Sequence, residues 1–198
     1  HTKDVFSVFV ERIKFSNFKK RFVMKVLNVG YPSALQMFFE VGMFAGGIIL
    51  AGMIGTEAQA ANQISLNLAT MTYMVAVGLS VTATIRVGNQ KGLKDFVSLR
   101  RIALSVLWLM IIIDVFLAGG FVLLRNVLPT LYIQDVEVIE IAATLLVIAG
   151  LFQISDGIQV VFLGALRGLQ DVKYPMVITF IAFWVIGFPV SYYLGLKT

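Results

Sequence analysis

The chain has 198 residues, 59% of them hydrophobic and 14% charged, with a formal net charge of +5 and a mean hydropathy of +0.89. A water-soluble domain carries roughly 25% charged residues, so this composition excludes an ordinary soluble enzyme or binding module. With no cysteine, a disulfide framework, a thiolate metal site and a cysteine nucleophile are excluded as well.

Residues 1–25 set Val5, Phe6, Phe9, Ile13, Phe22 and Val23 among Arg12, Lys14, Lys19, Lys20, Arg21 and Lys25. This basic amphipathic pattern predicts a cytoplasmic or interfacial segment. It lacks the apolar core and small-residue cleavage site of a signal peptide. A chain opening on His1 is expected to be a piece of something longer. Residues 26–198 read as a transmembrane domain with apolar stretches at about 26–52, 58–88, 96–124, 138–166 and 173–194. A membrane helix needs about 20 apolar residues, so the pattern predicts an all-α bundle of five spans. The separators TEAQ, GNQKGLKD, LPTLYIQDVEV and GLQDVKYP are short and polar, as bundle connections are.

If residues 1–25 are cytoplasmic, the linkers near 89–95 and 167–173 are too. Lys3, Arg12, Lys14, Lys19, Lys20, Arg21, Lys25, Arg86, Lys91, Lys94, Arg100, Arg101, Arg167 and Lys173 then share that side, leaving Arg125 and Lys197 opposite. The asymmetry sets the orientation by the positive-inside rule. It also accounts for the basic charge without nucleic acid as a partner. Glu57, Asp135, Glu137 and Glu140 make the outer side acidic.

Gly42 with Gly46, and Gly164 with Gly168, have the small-xxx-small spacing that lets helix backbones approach, though each pair could instead mark a bend. Pro32 and Pro175 are expected in first turns, while Pro189 lies inside the last span and should disturb it. No nucleotide-binding motif is present. No histidine beyond His1 and no Gly-x-Ser-x-Gly elbow exist to build a nucleophilic site, so the chain is not expected to be an enzyme.

Three acids lie inside apolar spans, Glu40, Asp114 and Asp156, although a charge at the bilayer centre costs about 2.5–3.5 kcal/mol on insertion scales. At ~1.5 Å per residue, Glu40 lies ~22 Å from Lys25, Asp114 ~20 Å from Arg101 and Asp156 ~16 Å from Arg167, all near the midplane. Gln36 precedes Glu40 by one turn, and Gln153 and Gln159 flank Asp156 at three residues, so both acids belong to polar helix faces. Gln63 and Asn67 extend the polar path towards the outer mouth. Asp114 has only apolar neighbours on its own helix, which leaves packing and function equally open for it.

Burial favours the neutral form of a carboxylic acid and a nearby cation favours the ionised form, so a buried acid can exchange a proton for a cationic ligand. This is the chemistry of an antiporter. Among metals, Glu and Asp oxygens suit a hard ion such as Na+ rather than zinc. The alternative is a non-transporting membrane scaffold, in which the acids hydrogen-bond across helices and only hold the bundle together.

GYPSALQMFFEVGMF at 30–44, AANQISLN at 60–67, RVGNQKG at 86–92 and FQISDGIQVVFLGALRGLQD at 152–171 resemble, in order, the second half of a MATE (multidrug and toxic compound extrusion) transporter. The resemblance covers about residues 20–195. It implies twelve helices in two six-helix lobes, of which this chain supplies the seventh to eleventh, beside an N-terminal lobe of the same polypeptide. It implies that Glu40 and Asp156 bind the coupling cation, Na+ or H+, with no other cofactor. Gln63 would lie near the substrate cavity and Asp135 at its outer rim, with Gln36, Asn67 and Phe152 as further cavity residues. Phe152 stands where the family often has a tyrosine, removing a hydroxyl. The implied function is export of cationic amphiphilic drugs from a bacterial inner membrane; a lipid-linked saccharide flippase of the same superfamily is the second transport reading, and would need a basic cavity.

Overall fold

The computed structural model describes residues 20–197, nearly all helical, with no strand among them. Five helices among the described residues are long and apolar enough to cross a membrane. They are α1 (Lys20–Ile54), α2 (Thr56–Leu93), α3 (Phe96–Leu123), α4 (Val136–Gly168) and a final span over Lys173–Gly195. The last is composite: α5 (Lys173–Phe180) runs through a π-helical segment (Ile181–Gly187) into α6 (Phe188–Lys197).

Most of the amphipathic N-terminal segment, residues 1–19, lies outside the described residues. Its last part differs from the expectation, because residues 20–25 are the first turns of α1 itself. Pro32 is consequently not in a first turn but inside α1, and it is buried. One residue on, Ser33 Oγ donates to the Val29 carbonyl at 2.8 Å. Pro175 does fall in the first turn of α5. Before Pro189 the ladder changes register, with the Phe188 N–H reaching back five residues to the Phe183 carbonyl. A proline cannot donate to that ladder, and a π turn is one way a helix absorbs the defect.

Residue pairs between helices show how each span runs. Thr72 meets Gln153, Ser80 meets Val160 and Thr84 meets Gly164, at a nearly constant separation, so α2 and α4 are parallel. Asp114 meets Gln153 while Ala118 abuts Gly150, so α3 and α4 are antiparallel. Phe39 packs on Phe180 and Gly46 on Phe188, which makes α1 parallel to the last span. Tyr73 with Glu40 and Gln59 with Gly52 make α1 and α2 antiparallel. The spans therefore alternate in direction.

Packing divides the bundle into a tight trio, α2, α3 and α4, and a pair formed by α1 with the last span. Two apolar clusters hold the trio. Ala61, Ile64 and Leu68 pack with Val138, Ala142 and Leu146 near the starts of α2 and α4, and Ala76 and Ala83 with Met110, Val160 and Val161 further along them.

The glycines divide into two kinds of contact. A Cβ on Gly168 would come within 2.6 Å of the Thr84 carbonyl and 3.0 Å of the Gly88 nitrogen, and one on Gly164 would strike Ser80. Here backbones do approach. Ser80 Oγ and Thr84 Oγ1 use the proximity to donate to the Val160 and Gly164 carbonyls at 2.7 and 2.8 Å. Gly42 and Gly46 instead receive side chains. A Cβ there would lie 2.9 Å from the Trp184 ring and 2.8 Å from the Phe188 ring. The stacked Trp184–Phe188 pair, with centroids 5.7 Å apart, lies along this groove of α1.

The helix ends are locally encoded. Asp95 caps α3 by accepting from Ser98 N–H at 3.0 Å, and Asp135 caps α4 through the N–H groups of Glu137 and Val138. Lys94 and Gln170 adopt left-handed φ values of 58° and 60° where α2 and α4 end. Lys91 Nζ donates to the Leu169 carbonyl, tying those two ends together.

Candidate cation and substrate site

Because α1 touches the trio mainly through α2, a wedge remains between α1 and α4, floored by α2. It is a cavity of about 680 Å³, reached by Glu40 of α1, Asp114 of α3 and Asp156 of α4. This volume is within the usual range for a small-molecule site. Its walls are largely apolar and soft, with Met37, Met71 and Met74 beside Phe44 and Phe152. The two phenylalanine rings meet edge to face at 6.3 Å.

Glu40 is only 8% exposed, and its Oε1 accepts a hydrogen bond from the Tyr73 hydroxyl at 3.2 Å. Tyr73 thus brings a phenol to the acid from the facing helix. Asp156 is half-buried and lines the same cavity as Glu40 and Asp114. No hydrogen bond holds its carboxylate among the described residues.

Asp114 is 1% exposed. Gln153 Nε2 donates to its Oδ1 at 3.4 Å, and Gln153 Oε1 in turn accepts from Thr72 Oγ1 at 2.6 Å. Its other oxygen, Oδ2, is buried without a partner. The companions missing from its own helix come from α4 and α2.

The residues singled out from sequence separate in space. Glu40, Asp156, Asp114, Gln63, Asn67 and Phe152 line one cavity. Asn67 accepts from the Tyr132 hydroxyl at 2.9 Å. Gln36 is 1% exposed but does not line the cavity, and its Nε2 has no hydrogen-bond partner. Asp135 lies outside the cavity, at the N-terminus of α4. Tyr73, Thr72 and the three methionines were not singled out beforehand. A hydroxyl-bearing ring in the middle of an apolar span was the available signal for Tyr73.

Among the described residues no three acids or histidines converge closely enough to enclose a metal ion alone. A cation between Glu40 and Asp156 would therefore complete its shell with neutral oxygens. The donor set is carboxylate, phenol and amide oxygen, which suits a hard monovalent ion or a proton.

These features define the class: an integral membrane protein whose helices enclose an acid-lined, methionine- and phenylalanine-walled cavity. The MatE family model matches residues 32–193, and the chain belongs to that family. It is 37% identical over 191 residues to the probable multidrug resistance protein NorM of Pasteurella multocida, covering 96% of this chain and 40% of the relative. It is 35% identical over 184 residues to the multidrug resistance protein MdtK of Proteus mirabilis, covering 89% and 40%. With NorM of Photobacterium profundum the identity is 34% over 174 residues, covering 88% and 38%. The chain spans about two fifths of the length of these relatives.

Proposed function

We propose that this chain is the cation-coupling half of a multidrug exporter, working as an antiporter with a second lobe of the same polypeptide in a bacterial inner membrane. The observation that carries the reading is Glu40 and Asp156 on helices α1 and α4, lining one cavity together with Met37, Met71, Met74, Phe44 and Phe152. Carboxylates attract a cationic drug, aromatic faces hold it by cation–π contact, and unbranched thioethers adapt to varied shapes. A coupling ion, Na+ or H+, competes for the same oxygens. Rocking of the two lobes about the cavity would expose it alternately to each side. The relatives' names, multidrug resistance proteins, accord with this reading. A lipid-linked saccharide flippase would need a basic cavity, and this one carries Glu40, Asp114 and Asp156.

The test uses the full-length transporter in vesicles, with Na+ and H+ gradients imposed separately and efflux of a cationic dye as the readout. Glu40→Gln and Asp156→Asn are each expected to abolish gradient-driven efflux with expression unchanged. Wild-type rates in both variants would sink the reading.

A further inference from the structure

A second, smaller cavity of about 190 Å³ adjoins the acid-lined one, and Phe44, Asn62, Leu66 and Phe152 line both. Met43 and Gly47 of α1 and Phe183 of the π-helical segment complete the smaller cavity. None of its lining residues is charged, and Asn62 is the one polar residue among them. Ligand sites run to about 300–1,000 Å³, so this space is too small for a whole drug molecule. An apolar cavity of about 150 Å³ holds one benzene ring, which sets the scale of what fits here. Three phenylalanines in the wall favour a ring over a chain, because aromatic groups attract one another edge to face beyond the effect of area burial.

Gly47 keeps this space open. A Cβ at Gly42 or Gly46 would press on Trp184 or Phe188, but one at Gly47 meets no atom within 4 Å. Helix packing therefore gives no reason for a glycine at 47, where alanine is the better helix former. The cavity supplies one, since a large side chain at this lining position grows into it. The spacing from the acids is fixed by the helices. Phe44 and Gly47 follow Glu40 by four and seven residues, and Phe152 precedes Asp156 by four. Because α1 and α4 run in opposite directions, both steps lead the same way, and at ~1.5 Å per residue they displace the uncharged cavity ~6–10 Å from the level of the acids.

We propose that the second cavity is a subsite for one uncharged ring of the transported compound, held ~6–10 Å from a cationic group at Glu40 and Asp156. The inference rests on the reading above that the chain carries cationic drugs, and it narrows their class to cations with a detached ring at that spacing. A compact cation without such a ring uses the acids alone. A rigid fused ring system is too wide for the subsite.

The test measures affinities of the purified full-length protein at equilibrium, with no gradient present. The probes are phenylalkyltrimethylammonium ions of graded linker length, an alkyltrimethylammonium ion of equal carbon count, and tetraethylammonium. Wild type should bind most tightly the phenylalkyl ion whose linker spans ~6–10 Å. Gly47→Leu fills the cavity and should lower the affinity for that ion, relative to tetraethylammonium, about tenfold, the worth of one buried ring. Phe183→Ala enlarges the cavity and should shift preference from the phenyl ion to its naphthyl counterpart, which decides the matter should Gly47→Leu not fold. Affinity independent of linker length, or an unchanged preference in either variant once monodisperse, overturns the subsite. An alkyl ion bound as tightly as the phenylalkyl ion overturns the ring assignment in favour of an alkyl or lipid chain. Gradient-driven efflux is measured separately in vesicles, so its absence in wild type overturns antiport while the affinities still decide the subsite.

Discussion

Tyr73 donates its phenolic hydrogen to Oε1 of Glu40 across the crossing of α1 and α2, at 3.2 Å. The bond fixes where on the cavity wall the carboxylate is presented, because a free glutamate side chain would otherwise sample several rotamers. Removing the hydroxyl in Tyr73→Phe leaves the ring in place and releases the acid. A hydrogen bond to a charged group contributes about 1.5–3 kcal/mol, and 1.4 kcal/mol is tenfold in affinity. The half-saturating concentration of the coupling cation should rise about tenfold or more in Tyr73→Phe, with maximal efflux less affected. An unchanged cation dependence would mean the bond plays no part in presenting Glu40.

The junction of α2 and α4 should be intolerant of a single methyl group. Gly164→Ala drives a Cβ into Ser80, and Gly168→Ala brings one to 2.6 Å from the Thr84 carbonyl. Both neighbours are backbone and cannot swing away. Overpacking of this kind costs about 1–3 kcal/mol, which should appear as a lower thermal midpoint in detergent. Gly47→Ala and Gly78→Ala, whose new Cβ atoms meet nothing within 4 Å, are the matched controls. They are expected to be neutral or slightly stabilising, since alanine is the better helix former. Equal losses in all four variants would show that helix propensity and not backbone contact governs.

That the acids share one level was legible because the helical rise is fixed. Distances from Lys25, Arg101 and Arg167 put Glu40, Asp114 and Asp156 at one level, and the three do meet at one cavity. Rotation of each helix about its axis was not legible. In water an apolar stripe marks the buried face, but lipid and protein core are both apolar, so α3 carries no such mark. Asp114 thus looked solitary, while its partners stood on α2 and α4. The same ambiguity hid the turning of Gln36 away from the cavity and the filling of the Gly42–Gly46 groove by rings instead of a backbone. The extent of α1 was misjudged for a different reason. Lys20, Arg21 and Lys25 end the apolar stretch but not the helix.

The start of α3 should weaken in acid. Hydrogen bonding by Ser98, through its side chain first and then its backbone N–H, holds the exposed Asp95 carboxyl below its ordinary value of 3.8. A carboxyl whose folded pKa is depressed stabilises the native state fully above its unfolded value, and that contribution fades as pH falls through the folded value. Asp95→Asn keeps an acceptor for the Ser98 N–H but cannot ionise. Wild type should therefore have the higher thermal midpoint at pH 6, and the difference should vanish as the pH is lowered past 3.8. A difference that persists or grows towards low pH would contradict the assignment.

Docking of the last span on α1 can be followed through Trp184. Its ring lies in the groove that Gly42 leaves, and its Nε1–H donates to the Phe39 carbonyl at 3.1 Å. That carbonyl belongs to the residue before Glu40, so the last span braces the segment of α1 that presents the acid. Gly42→Ala would bring a methyl to 2.9 Å from the ring and push the indole outwards. Trp108 is the other tryptophan in the chain, 63% exposed on α3, and replacing it with phenylalanine leaves Trp184 as the reporter from this segment. In the full-length protein, any tryptophans of the other lobe are replaced in the same way. Gly42→Ala in that background should shift the emission of Trp184 and increase its quenching by brominated lipid. Drug efflux should fall with it, because the indole's hold on the Phe39 carbonyl is loosened. Trp184→Phe, which keeps an aromatic filling but loses the N–H, separates the two effects. If the hydrogen bond matters, its efflux falls while the bundle keeps its thermal midpoint. If only filling matters, Trp184→Phe behaves as wild type and Gly42→Ala alone is impaired.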